Sequence, residues 1–99
     1  MRTAAITVFV VAMLPATACG QSVEHQRQVA FVQHCAACHA IAQRQPSPVP
    51  AAPNLWEVHP SEEQLRRAIQ YGSVGMPAKL VHGGDEGLVI DYVLEKTAR

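Results

Sequence analysis

Aromatic residues are scarce in this chain of 99 residues, which holds one Trp, two Tyr and two Phe. So short a chain has difficulty building a stable core from its own side chains, and few large side chains increase that difficulty. Neither sign of charge predominates, because eight scattered basic residues balance eight acidic ones. The one-sided basic surface that nucleic-acid binding requires is therefore absent, and we expect no nucleic-acid partner. The apolar fraction of 48% favours a single folded domain.

A hydrophobic run long enough to span a bilayer is absent as well, since spanning takes about twenty residues. The longest run covers only residues 4–14, and it is followed by Pro15 and by the small residues 16–18. A basic start, an apolar stretch and an A-x-A pattern are typical of a secretory signal. We therefore expect residues 1–18 to be removed on export to the periplasm, leaving 19–99 as one domain. The alternative is a buried helix of the domain, which Pro15 would end.

Cys19 directly follows the small residues, at the position where lipoprotein signals place a lipidated cysteine. Such signals usually have a leucine three residues earlier, where this chain has Ala16. If Cys19 carries lipid, the domain is tethered to a membrane surface, because several acyl chains suffice for stable anchoring. Otherwise Cys19 is a free thiol near the terminus.

Capping residues predict where the helices of residues 22–99 begin. Ser22 caps a first helix over 22–36, which leads into a pair of cysteines. Ser61 caps a second helix, Gln64 completes a capping box three residues later, and Gly72 ends the helix. A third helix opens at residues 85–86 and carries apolar pairs at i and i+4, namely Leu88/Tyr92, Val89/Val93 and Ile90/Leu94.

Proline and glycine predict the connections between these helices. Four prolines within residues 46–53 exclude a helix interior there, and the glycines and proline of residues 72–84 indicate a loop. No segment shows the sustained alternation of a strand. The sequence therefore predicts an all-α fold with about three helices and long loops.

The chemistry is concentrated in Cys35-Ala36-Ala37-Cys38-His39, a C-x-x-C-H motif. Cysteines three residues apart lie on nearly one side of a helical turn, so both thiols can reach the two vinyl groups of one haem. The adjacent His39 can give an imidazole nitrogen to the iron. This pentapeptide is the attachment signal of c-type haem, and export fits it.

Three other uses of the cysteines compete with haem attachment. A redox-active C-x-x-C pair is expected near a βαβ pattern, which this chain does not show. A structural zinc site needs four ligands, and the other histidines, His25, His34, His59 and His82, form no second ligand pair. A structural disulfide is possible in an exported protein, but it leaves His39 unexplained.

Several stretches of residues 22–98 resemble the class I cytochrome c family. They are the attachment motif, Phe31 four residues before it, the Pro-x-Leu segment in Ala52-Pro53-Asn54-Leu55, the pattern Ile69-x-x-Gly72-x-x-x-Met76-Pro77, and Leu88 to Leu94 with Tyr92. Arg27 departs from the pattern, because a small residue often stands eight positions before the first cysteine. Only 36 residues separate His39 from Met76, so the resemblance would make this a compact member with a shortened middle. The resemblance implies a small fold wrapped around one covalent haem c (heme c).

Met76 is the expected sixth iron ligand, and it is the only methionine of residues 19–99. A thioether is an ordinary partner of histidine on haem iron, and this pair raises the potential. Met76 also precedes Pro77 in a glycine-containing loop, where the backbone can approach a flat cofactor. The alternatives are a methionine of the core, or His59 or His82 as the ligand, although each histidine fits a surface position better.

The resemblance also implies a set of residues around the haem. The Pro53 carbonyl is expected to accept the second ring N–H of His39, which would fix the orientation of that ligand. Leu55, Ile69, Leu80 and Tyr92 are expected pocket walls. Trp56 either donates its indole N–H to a haem propionate or covers the edge of the core. His34 is expected to be solvated.

These features predict an exported electron carrier rather than an enzyme, with redox proteins as its partners: a dehydrogenase, an oxidase or another cytochrome. Iron held by both His39 and Met76 has no open position for a substrate. The alternative is a labile distal site, which would permit gas binding or peroxidase-like activity. A metal or disulfide module without haem is the third possibility.

Overall fold

The computed structural model of the chain describes residues 3–12 and 22–99. Residues 3–12 are exposed and have no regular secondary structure. The predicted cleavage site at 16–18 and the predicted lipidation site at Cys19 lie outside the described residues. Within the two described ranges, no helix is long and apolar enough to cross a membrane.

Four helices form the described domain: α1 at Val23–His34, α2 at Leu55–Val58, α3 at Glu62–Tyr71 and α4 at Gly84–Thr97. The all-α class is confirmed, since residues 22–99 contain no β-strand and their one isolated β-bridge joins Ser73 to Met76. The three helices predicted from the sequence correspond to α1, α3 and α4.

The predicted caps are present and explain where α1 and α3 begin. The Ser22 hydroxyl accepts the His25 N–H at 3.1 Å, so one free donor of the first turn of α1 is satisfied. Ser61 Oγ accepts the Gln64 N–H at 3.1 Å, and Gln64 Oε1 accepts the Ser61 N–H at 2.9 Å. This is the reciprocal capping box that the sequence predicts. Helix α3 ends at Gly72, also as predicted.

Helix α2 is the element that the sequence analysis missed. Asn54 starts it, because its side-chain oxygen accepts the Trp56 N–H at 2.9 Å. His59, at a φ of 49°, ends it after a single turn. Four residues are too few to show helical periodicity, so only the capping asparagine signalled this turn in the sequence.

Helices α1 and α4 pack against each other and hold much of the core. The rings of Phe31 and Tyr92 meet with centroids 5.0 Å apart, and Ile90 is 1% exposed. Arg27 does not prevent this packing, because its guanidinium reaches Asp91 at 3.4 Å and Glu95 at 3.6 Å on α4. The long side chain thus spans the edge of the contact, where the family pattern often has a small residue.

Candidate functional site

A cavity of about 470 Å³ lies between the turn that follows α1, helices α2 and α3, the loop after α3, and α4. This volume is within the range of small-molecule and cofactor sites. Among the described residues that line the cavity, none is Asp, Glu, Lys or Arg. Buried aliphatic side chains form much of its wall: Leu55, Leu65, Ile69, Val81, Val89 and Val93.

Both thiols of the C-x-x-C-H motif line this cavity. The backbone continues from α1 in a helical turn, because the Cys35 N–H donates to the Phe31 carbonyl at 2.8 Å and the His39 N–H donates to the Cys35 carbonyl at 2.9 Å. That turn brings Cys35, Cys38 and His39 to one wall, as the spacing predicts. Cys35 and Cys38 are free thiols here, with Cys35 buried and Cys38 exposed.

The two thiols differ in their surroundings. Burial, together with the neighbouring Cys38, raises the pKa of the Cys35 thiol to about 11. At neutral pH this thiol is therefore protonated, and a neutral S–H group is the form that an uncharged cavity accommodates at least cost.

The imidazole of His39 is oriented by a backbone carbonyl. Nδ1 of His39 lies 2.8 Å from the carbonyl oxygen of Pro53, the contact that the resemblance implies. Because a carbonyl oxygen can only accept, Nδ1 must carry the proton and donate it. A neutral ring with a proton on Nδ1 keeps a lone pair on Nε2, which is the atom that can ligate a metal.

A closed loop holds Pro53 in place beside His39. The Leu55 N–H donates to the Ala40 carbonyl at 2.9 Å and closes the base of the loop. Asn54 is 8% exposed, and its amide group donates to the carbonyls of Ala42 and Gln45, both at 2.8 Å. These bonds satisfy buried polar groups and fix the segment that carries the Pro53 carbonyl.

Met76 reaches the same cavity on the loop that follows α3. It is half-buried and packs against the hydrophobic core. Ser73 and Met76 exchange both backbone hydrogen bonds, at 3.0 Å and 2.9 Å, which forms a tight turn. The expected pair of His39 and Met76 is therefore brought to one cavity, together with the two cysteines.

The remaining residues predicted for the site divide into two groups. Pro53, Leu55, Ile69 and Leu80 line the cavity. Trp56 and Tyr92 are absent from the described lining, which differs from the expectation that Tyr92 is a pocket wall. Tyr92 packs on Phe31 on the other side of the core. The proposed role of Trp56 toward a propionate stays a prediction.

Trp56 contacts the end of the chain instead. The guanidinium of Arg99 lies 4.1 Å from the centre of the indole ring and donates a hydrogen bond to the Trp56 carbonyl. An arginine over an aromatic face is an attractive cation–π arrangement. It links Arg99 to α2, whose residues Leu55 and Val58 form part of the cavity wall.

The prediction that His34 is solvated is wrong. His34 is half-buried and lines the cavity, and its Nε2 lies 2.9 Å from Asp85 Oδ2 at the start of α4. No local pattern could predict this contact, because the partners are 51 positions apart. His59 and His82 are exposed, as expected.

Sequence reasoning also missed several walls. Val89 and Val93 were predicted as a helical apolar pair without being assigned to the site, and Leu65 of α3 was not assigned to it either. Their helical spacing could have suggested a buried face, but not the cavity that this face borders.

No protein-family model, no curated protein and no solved structure matches the chain. Over residues 3–12 and 22–99, no group of three or more His, Cys, Asp or Glu side chains could together hold a metal ion.

Proposed function

We propose that this protein is an exported c-type cytochrome, which carries single electrons on one covalently attached haem with His39 and Met76 as iron ligands. The observation that carries the proposal is the convergence of four residues on one cavity. Cys35, Cys38, His39 and Met76 all line the same uncharged space of about 470 Å³.

The residues of the cavity fit a haem in their chemistry. Two free thiols are available for thioether bonds: each sulfur adds to one carbon of a vinyl group, and the thiol proton goes to the other carbon. His39 has one ring nitrogen bonded to Pro53 and the other left as a donor to iron. The aliphatic walls exclude water from a flat apolar ring.

When bound, the haem iron accepts and releases one electron by changing between its ferric and ferrous states. His39 and Met76 would together hold the iron, so that no substrate would reach the metal. The Pro53 carbonyl holds the His39 ring in one orientation, and the low polarity of the walls and the thioether ligand raise the potential.

The rim of the cavity is a suitable surface for contact with redox partner proteins. Four large hydrophobic residues both line the cavity and are exposed, so they border its opening: Val49, Val58, Val74 and Leu80. Exposed apolar residues gathered at one place favour contact with another protein. Brief electron-transfer contacts use small interfaces of this kind.

Export and anchoring are part of the proposal. Residues 1–18 would be removed as a signal, and Cys19 would begin the mature chain, with or without lipid. Mass spectrometry of the mature N-terminus tests both points. A chain that still begins at Met1 contradicts removal of the signal, and an unmodified Cys19 contradicts the tether.

The test of haem attachment is the alkaline pyridine spectrum of protein matured in an exporting host that assembles c-type cytochromes. We expect a c-type ferrous spectrum and haem staining that persists on a denaturing gel. The C35A/C38A variant should lose the stain. A Cys19→Ser variant removes a thiol outside the motif and should retain it.

The wild-type result decides the assignment. If the wild-type protein has no Soret absorption, the haem proposal fails and a haem-free module is favoured. If haem is attached but the near-infrared band of methionine-ligated ferric haem is missing while carbon monoxide binds readily, the carrier proposal gives way to a labile distal site.

A further inference from the structure

Two sets of backbone hydrogen bonds shape the loop that carries Met76, one within the loop and one between the loop and α3. Ser73 and Met76 are joined by their paired backbone hydrogen bonds. Beyond them, the Lys79 N–H donates to the Ile69 carbonyl at 2.8 Å, so the chain returns to the last turn of α3. Met76 is thus presented by a backbone whose shape is already fixed.

Gly72 is the point at which this loop folds back on itself. It has a φ of 74° and a ψ of −177°, a conformation that is essentially restricted to glycine. A Cβ at this position would lie 2.6 Å from the Met76 carbonyl oxygen and 2.9 Å from the Ala78 nitrogen. Both atoms belong to the backbone, so a larger residue cannot be accommodated by moving a side chain.

Gly75 provides the contrast within the same loop. Its φ of 79° is also positive and would strain any other residue, but a Cβ there would meet nothing within 4 Å. Substitution at Gly75 therefore tests backbone strain alone. Substitution at Gly72 tests strain together with displacement of the segment from Met76 to Ala78.

We propose that Gly72 is a positioning residue for the sixth iron ligand: its missing side chain lets the backbone of Met76 pack against the end of α3, which holds the thioether in the cavity. This inference rests on the proposed function, because it takes Met76 to be the ligand. It assigns to Gly72 a role beyond that of ending a helix.

The experiment compares G72A and G75A as full-length holoproteins from the exporting host. Two readouts are taken per mole of covalent haem: the near-infrared charge-transfer band of methionine-ligated ferric haem, and binding of carbon monoxide to the ferrous protein. We expect G72A to lose most of the band and to bind carbon monoxide, while G75A keeps the band and excludes the gas.

A double-mutant cycle separates positioning from a general effect on folding. In a Met76→Ala background the ligand is already absent, so adding G72A should change carbon monoxide binding no further. If G72A yields no holoprotein in either background, Gly72 is needed for folding as such, and the positioning role is overturned.

The remaining outcomes distinguish the two proposals. A wild-type protein with the band and a G72A variant with the same band overturn the inference and leave the proposed function standing. Equal loss of the band in G72A and G75A also overturns it, because strain alone would then explain the effect. A wild-type protein without covalent haem overturns both.

Discussion

Helix α4 separates two halves of the domain that are built in opposite ways. The first, which we call the packed half, contains the pair α1–α4 and buried residues that do not line the cavity, with Ile90 and the stacked rings of Phe31 and Tyr92. The second, the cavity half, contains α2, α3, the Met76 loop and the α4 residues Val89 and Val93. One half is filled by its own side chains, and the other is built around a space.

The few aromatic residues are placed differently in these halves. In the packed half, Phe31 and Tyr92 pack on each other. The cavity half also has two aromatic residues, Trp56 on α2 and Tyr71 on α3, but no Phe, Tyr or Trp is found among the described residues that line the cavity. The walls of the cavity therefore lack flat aromatic side chains. A bound haem would supply to the cavity half the flat apolar bulk that aromatic pairs supply to the other.

Ion pairs occur in both halves. At the edge of the packed half, Arg27 pairs with Asp91 and Glu95, and Lys96 lies 3.9 Å from Glu24. In the cavity half, α3 carries the exposed pairs Glu62–Arg66 and Glu63–Arg67. The cavity lining itself holds no Asp, Glu, Lys or Arg among the described residues. Exposed ion pairs contribute little to stability, so the more important feature is the lining, which can bury an apolar group at low cost.

The largest expected effect follows from removing haem attachment altogether. Without haem, the apolar walls of the cavity of about 470 Å³ face water instead of an apolar partner, so the stabilisation that their burial would give is lost. In the C35A/C38A chain we therefore expect α3 and residues 72–79 to lose protection from hydrogen exchange, while α1 and α4 retain more. Equal protection of both halves, or a native-like fold without haem, would contradict the comparison.

A matched pair of isoleucines tests the two halves within the holoprotein. Ile90→Ala should lower the free energy of unfolding by about 2–5 kcal/mol, because it opens a hole in a filled core. It should leave the reduction potential unchanged. Ile69→Ala removes a cavity wall, so it should lower stability and also shift the potential by admitting water near the haem. Chemical denaturation measures the stability, and voltammetry measures the reduction potential. If the potential shifts in Ile90→Ala but not in Ile69→Ala, Ile90 rather than Ile69 borders the haem, and the division into two halves is wrong.

The smallest effect is expected at the charged edge of the packed half. Arg27 Nε is buried without a hydrogen-bond partner in the described part of the chain, and the guanidinium contacts only half-exposed carboxylates. Arg27→Met keeps the apolar stem and removes the charge, so the free energy of unfolding should change by less than about 1 kcal/mol. Arg27→Ala, which also loses the stem, serves as the control and should be less stable. A large loss in Arg27→Met would show that the ion pairs, rather than packing, hold α1 on α4.

Features that depend on neighbouring residues could be predicted from the sequence. The caps at Ser22 and Ser61 and the end of α3 at Gly72 depend on neighbouring residues, so local patterns were sufficient for them. The all-α class followed from helical spacing and from the positions of proline and glycine. Most of the residues expected around a haem line one cavity, because each lies in a short motif with its own local geometry.

What the sequence could not supply depends on contacts between distant residues. The side of α4 that Tyr92 occupies is decided by Phe31, and the surroundings of His34 are decided by Asp85. Helical spacing predicts which apolar residues share a face. It does not predict which of them border a cavity and which pack against a neighbouring helix. Helix α2 was missed for the opposite reason, since a single turn capped by Asn54 is too short to form a pattern.

The closed loop between Ala40 and Leu55 has a consequence for the size that such a domain can reach. Asn54 holds the carbonyls on both sides of the exposed turn at Gln43 and Arg44, so residues inserted in that turn would extend outward. Doubling the length of a flexible loop costs only about 0.6 kcal/mol in closure entropy. The chain could therefore grow at this turn while its hydrogen-bonded base stays closed. Insertions here would enlarge the protein without enlarging its binding site.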